Sequence, residues 1–220
     1  VPAFHAALLK PLGRDAAVLN LGGIANLSLY EAATGRISGY DIGPANTLLD
    51  AWHRRHRGGD CDHHGAWAAS AEPDPLLLVD WLTDPYFRRP PPKSTGREYF
   101  HLGWVDAHPR VARLPPAVVQ ATLLHLTVRT IAIALAAMPT AAPVYIHGGG
   151  WHNRALIRAL QNARPIAPIT STADLGVDPD FLEAALFAWL AHETLSGRPG
   201  NRVDVTGAAG PRVLGAVWPG

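Results

Sequence analysis

The chain has 220 residues, of which 48% are apolar and 17% charged, with a formal net charge of +1. That apolar share is enough for a sizeable core, which excludes wholesale disorder, and the near-neutral charge has no long block of one sign to grip nucleic acid or an anionic membrane. Cys61 is the only cysteine, so an internal disulfide is excluded and a reducing, cytoplasmic setting is expected.

The first third reads as β-rich. Strands are predicted over Ala17–Leu21, Ala25–Tyr30 and Arg36–Asp41, with Ala33-Thr34-Gly35 turning between the last two. Gly22-Gly23 predicts a tight hairpin of the primed kind, which needs positive φ. Two glycines also leave their N–H groups open to a bulky anion, and Asn20 and Asn26 flank them. The turn therefore reads either as a phosphate grip or as an ordinary hairpin. Asp41 ends a strand, where it could hold a metal-bound water or a sugar hydroxyl, or serve as a turn carboxylate.

A helix follows over Asn46–Arg57, with Leu48, Leu49 and Trp52 as its apolar stripe and Gly58-Gly59 as its stop. Arg54, Arg55 and Arg57 fall in its last turn, where cations suit the helix dipole. Cys61, His63 and His64, with His53 and His56, resemble a metal cluster, but their spacing matches no zinc signature and no direct metal ligand is assigned. A second helix is predicted over Pro75–Thr83, then a loop from Pro85 to Gly103 carrying the basic run Lys93-Ser94-Thr95-Gly96-Arg97. Pro115-Pro116 opens a long apolar helix to Met138; Gln120, His125 and Arg129 within it argue for a core helix over a membrane span.

Pro143–His147 reads as a strand, Gly148-Gly149-Gly150 as a sharp turn, and Trp151–Gln161 as a helix. The three glycines lack both dinucleotide-finger spacing and the Lys-Ser/Thr of a P-loop, yet a ligand could lie against them. Ile166–Ile169 is a further strand and Pro179–Leu195 a strongly apolar helix carrying Glu183; the tail from Gly197 is read as loop. A lone acid on such a helix sits at an exposed edge or is functional. The order predicts an α/β layout with a mixed sheet.

Several stretches, in order, resemble the anhydro-N-acetylmuramic acid kinase family. They are Leu19-Asn20-Leu21-Gly22-Gly23-Ile24-Ala25-Asn26, Tyr40-Asp41-Ile42-Gly43-Pro44-Ala45-Asn46, Pro92-Lys93-Ser94-Thr95-Gly96-Arg97-Glu98, His147-Gly148-Gly149-Gly150-Trp151-His152-Asn153, Glu183-Ala184 with Phe187-Ala188-Trp189, and Val205-Thr206-Gly207-Ala208. The resemblance implies an actin-like (ASKHA) architecture of RNase H-like lobes with ATP between them, Mg²⁺ as cofactor and a homodimer. It also implies a reaction: opening of the 1,6-anhydro ring with water and phosphorylation of the 6-oxygen, yielding N-acetylmuramate 6-phosphate in peptidoglycan recycling.

Carried over by position, Gly22, Gly23 and Asn26 resemble the second phosphate-binding hairpin. Gly148, Gly149, Gly150 and Asn153 resemble the adenosine-binding turn, Glu183 a catalytic-site glutamate at the sugar, and Asp41 an active-site aspartate near sugar or metal-bound water. Two departures stand out. The family's Gly-Pro-Gly-Asn is here Gly43-Pro44-Ala45-Asn46. The family's first phosphate loop and general-base aspartate are expected ahead of Val1, so residues 1–220 read as a carboxy-terminal lobe, with 1–15 the remnant of the preceding substrate-site segment. Alone, this span is expected not to turn over. The alternative is a non-catalytic nucleotide-binding module of actin-like fold.

Overall fold

The computed structural model describes residues 1–218, so residues 219 and 220 of the expected lobe lie outside the described residues. Strands β1 (Ala16–Leu21), β2 (Ile24–Glu31), β3 (Arg36–Pro44), β4 (Val144–His147) and β5 (Ile169–Ser171) form one sheet in the order β3-β2-β1-β4-β5. The first three are an antiparallel meander, while β4 runs parallel to β1 and β5 parallel to β4. Central β1 is covered on both faces, which explains why its sequence is apolar apart from Asn20. Ala17, Leu19 and Leu21 point into the main core, and Ala16 and Val18 into a second cluster on the other face.

Helices α1 (Pro2–Leu9), α2 (Asn46–Arg57), α3 (Pro75–Leu82), α4 (Pro85–Arg88), α5 (Leu102–Asp106), α6 (Pro116–Leu135), α7 (Arg154–Ala163), α8 (Leu182–Leu195) and α9 (Val203–Thr206) cover the sheet. On the main-core face, α6 is the central packing element, touching α2, α3 and α7. It is long and apolar enough to cross a membrane by composition, but twelve of its 20 residues are buried in this core. Thr127 Oγ1 donates to Pro44 O at 3.1 Å, anchoring the end of β3 on α6. On the other face, α1 and α8 pack together through Phe4, Leu182 and Leu186, with the Phe4 and Trp189 rings 5.7 Å apart. This is the α/β lobe with a helix-flanked mixed sheet that the resemblance implied.

The differences from expectation have local causes. The connection at Gly22-Gly23 is not a primed two-residue turn, because neither glycine has positive φ. Leu21 pairs with Ala25 while Ile24 pairs with Pro44 of β3, so the chain swings wide there. Helix α6 stops at Leu135, ahead of Pro139, which disfavours helix in the residue before it. Strand β5 starts only after Pro168, which has no N–H for the ladder. The stretch 85–103 is not all loop: Asp84 caps α4 through Tyr86 N, and His101 caps α5 through Gly103 N. Helix α7 begins at Arg154, after a 3-10 turn over Gly149–His152, and α8 begins at Leu182 after a turn at Asp178–Phe181. Helix α1 was not anticipated, and the tail is not wholly irregular: Asp204 of α9 accepts from Ile37 N, pinning the tail to β3.

Candidate functional site

The register of the sheet builds the site. His147 of β4 lies beside Asn20 of β1, Asn20 beside Asn26 of β2, and Asn26 beside Asp41 of β3. Cross-strand neighbours share a face, so four polar side chains from four strands form one row. A β-bulge makes this possible. Ala25 pairs with Gly43 and Asn26 with Asp41, leaving Ile42 unpaired and buried in the core.

From Asn20 to Asp41 the row is hydrogen-bonded side chain to side chain. Asn20 Nδ2 donates to Asn26 Oδ1 at 2.8 Å, and Asn26 Nδ2 donates to Asp41 Oδ1 at 2.9 Å. The other oxygen of Asp41 accepts from Thr95 N at 3.0 Å. Asp41 N–H donates to Lys93 O, and Asp41 O accepts from Tyr86 Oη at 2.6 Å. The basic run thus serves first as a strap across β3. Lys93 Nζ donates to Tyr86 O at 3.2 Å and lies 4.7 Å from the Tyr86 ring centre. Burial, then Arg89, lowers its pKa.

The Gly22-Gly23 turn is two-sided. Its carbonyls accept from Ala45, Asn46 and Thr47 N–H groups at 3.0–3.1 Å and so cap the start of α2. Its own N–H groups donate to no backbone acceptor among the described residues. A Cβ on Gly23 would stand 2.6 Å from Thr47 Oγ1, so close approach of α2, and not φ, demands glycine there. Ala45 has a φ of −125°, so the departure from the family's second glycine requires no left-handed residue.

Gly148 does need positive φ (+85°), and a Cβ on it would lie 2.6 Å from Asn20 Oδ1. Asn20 is therefore wedged against both glycine clusters. Gly150 packs on Leu21 of β1. Gly149 has open space where a Cβ would stand.

Two cavities border this row, and a third meets one of them at Gly149. The largest, about 630 Å³, lies between α1, the sheet, the strap and α8; its polar lining includes His5, Ser28, Asp41 and Glu183. A second, about 430 Å³, is lined by Gly22, Gly23, Gly148, Gly149, Asp180 and Glu183. Asn20, Asn26, His147 and Glu183 line both. A third, about 230 Å³, meets the second at Gly149 and is lined by Asp50, Cys61, His63, His64, His152 and Asn153. Burial raises the Asp50 pKa, against the opposing pull of Arg54 first and then His53 and Arg97.

Glu183 is exposed on α8 and has no hydrogen-bond or ion-pair partner among the described residues. Asn153 Oδ1 accepts from Leu156 N at 3.0 Å and caps α7 while lining the third cavity. Around Cys61 and its histidines, Cys61 Sγ is 4.0 Å from His63 Nδ1, and among the described residues no three His, Cys, Asp or Glu side chains gather as ligands.

Sequence reading missed His5 and Ser28, which join across the largest cavity with His5 Nδ1 and Ser28 Oγ 2.8 Å apart. Ser28 was within reach, because it lies two residues from Asn26 on the same strand face. Only the fold brings His5 there.

Residues 1–220 match the family described as anhydro-N-acetylmuramic acid kinase. The chain belongs to this family. It is 53% identical over 220 residues to a protein named anhydro-N-acetylmuramic acid kinase from Xanthomonas campestris pv. campestris, covering 100% of this chain and 58% of that protein. Identity is 50% over 221 residues to the protein of that name from Pseudomonas syringae pv. tomato, and 49% over 220 residues to that from Xylella fastidiosa, covering 60% and 58% of those proteins. The chain thus spans about three-fifths of the length of the curated relatives it matches.

Proposed function

We propose that this lobe forms one wall of the ATP and sugar site of an anhydro-N-acetylmuramic acid kinase. The supporting observation is the His147–Asn20–Asn26–Asp41 row, which links a glycine-lined cavity to a larger one with Glu183 on both rims. In this reading the reaction opens the 1,6-anhydro ring with water and transfers the γ-phosphoryl group to the 6-oxygen.

Phosphoryl transfer needs positioning and stabilisation of charge more than covalent help from the protein. The Gly22, Gly23 and Gly149 N–H groups would face the phosphates in the second cavity, with the nucleoside end past Gly149 toward Asn153. Asp41, its carboxylate aimed by Asn26 and Thr95, would orient a sugar hydroxyl or a water. Glu183, unpartnered and facing both cavities, would bind the sugar near the reacting oxygen. Mg²⁺ commonly sits on one or two carboxylates plus substrate phosphates, and Asp41 and Glu183 are a donor set of that kind. Bound there, the ion would neutralise phosphate charge. The general base is proposed to come from the portion of the family that these 220 residues do not cover. We also read the protein as a cytoplasmic homodimer, which sedimentation of the full-length product would check.

The test uses the full-length gene product with ATP, Mg²⁺ and anhydro-N-acetylmuramic acid. A product with the mass of N-acetylmuramate 6-phosphate is expected. ATP binding without that product overturns the assignment.

A further inference from the structure

His5 and His147 are 2% and 5% exposed, yet the Nε2 atom of each is buried without any hydrogen-bond partner. Their rings meet edge to face with centres 5.6 Å apart, and both line the 630 Å³ cavity. Leaving a buried polar atom unpaired is costly, so two at one cavity wall ask for an external partner.

Charge does not supply the reason. Burial, helped by His147, lowers the His5 pKa to about 3, and burial lowers that of His147 to about 4. Both rings are neutral at pH 7, so neither is a cationic anchor for a carboxylate or a phosphate. Each neutral imidazole has one donor and one acceptor nitrogen. The His5–Ser28 contact occupies Nδ1 and commits Nε2 to the opposite role, whichever of the pair donates. A hydroxyl group both donates and accepts, so it satisfies either arrangement.

We propose that His5 and His147 bind uncharged hydroxyl groups of the sugar substrate on the floor of the large cavity, with Ser28 fixing the His5 ring. The assignment rests on the kinase reading above. Leu182 and Leu186 supply the apolar side of the cavity, against which a sugar ring or acetyl methyl packs.

The test uses the full-length gene product and calorimetric titration with anhydro-N-acetylmuramic acid and, separately, ATP. His5→Phe and His147→Phe keep a flat ring and remove the nitrogens. Each is expected to weaken sugar binding at least tenfold while ATP affinity stays within about twofold, and Ser28→Ala to give a smaller loss that Ser28→Thr restores. Histidine-selective ¹⁵N NMR of the unmodified protein keeps the question open to refutation if a Phe variant misfolds: two imidazole signals should move on adding the sugar. Unchanged signals, or wild-type sugar affinity in both folded Phe variants, overturn the assignment alone. A wild-type protein that binds ATP but not the anhydro sugar overturns the kinase reading and this assignment with it.

Discussion

Asn26 donates from Nδ2 to Asp41 Oδ1 at 2.9 Å while its Oδ1 accepts from Asn20, so one amide joins the acid of β3 to the polar tip of β1. Asn26→Ala removes both bonds and leaves Asp41 held from one side. A loss of about 1–3 kcal/mol is expected by urea denaturation, since one bond is to a carboxylate. Phosphorylated product should fall at least tenfold in the full-length protein. Loss of stability with unchanged turnover would remove Asp41 from the proposed chemistry.

Two adjacent glycines separate a structural need from a ligand need. Gly148→Ala forces an alanine to φ +85° against Asn20 Oδ1, and should cost about 1–3 kcal/mol or more. Gly149→Ala meets no such obstacle. Its thermal midpoint should match the parent while ATP affinity falls several-fold, because Gly149 lines the second and third cavities at their junction. Equal ATP affinity in Gly149→Ala would count against the nucleotide path past this residue.

Acid should destabilise the fold before its carboxylates titrate. The folded pKa values of His5 and His147, about 3 and about 4, lie below the unfolded value of 6.5. The unfolded state therefore binds more protons as the pH falls below 6.5, and stability drops. Two such groups give about 2.7 kcal/mol per pH unit within that window. His56 and His125, also lowered by burial, act in the same direction. The depressed carboxylates Glu193, Asp74 and Asp204 keep their stabilising contribution until the pH falls below the ordinary values of 4.5 and 3.8, and lose it as each titrates in the folded state. Denaturation midpoints at pH 6.5, 5.5 and 4.5 test this, and the His5→Phe variant should show a shallower slope.

Arg97 is exposed and makes no ion pair among the described residues, although its guanidinium comes within 3.4 Å of the Cβ position of Gly23. Arg97→Gln should leave stability within about 0.5 kcal/mol, as surface changes usually do. If Arg97 serves the phosphates, its loss should weaken ATP more than ADP. Equal effects on both nucleotides would place it outside the γ-phosphate's reach.

Local patterning made much of the fold legible. The span of α2 was readable residue for residue, because an apolar stripe, terminal arginines and a glycine stop all agree there. The β-meander was readable from its alternation and turn residues. Glycines and acids of the site could be located as motifs, but their relation could not: the Asn20–Asn26–Asp41 line depends on a bulge at Ile42 that no local signal marks. His5 was hidden for a related reason. Its partners lie on β2 and β4, and nothing near it in the chain shows that α1 packs across that face of the sheet. The true geometry of the Gly22-Gly23 turn was also beyond local reading, since α2, arriving later in the chain, sets it.

Because the Gly22–Gly23 peptide unit carries both the Gly23 N–H, beside a cavity, and the Gly22 carbonyl, which holds α2, events on the two sides are mechanically linked. Drawing the Gly23 N–H toward an anion tilts the same peptide plane whose oxygen holds the Asn46 amide. That amide is thus a built-in reporter. Its hydrogen-exchange rate should change when the cavity in front fills, though no ligand touches it, while amides near the middle of α6 keep time unaltered.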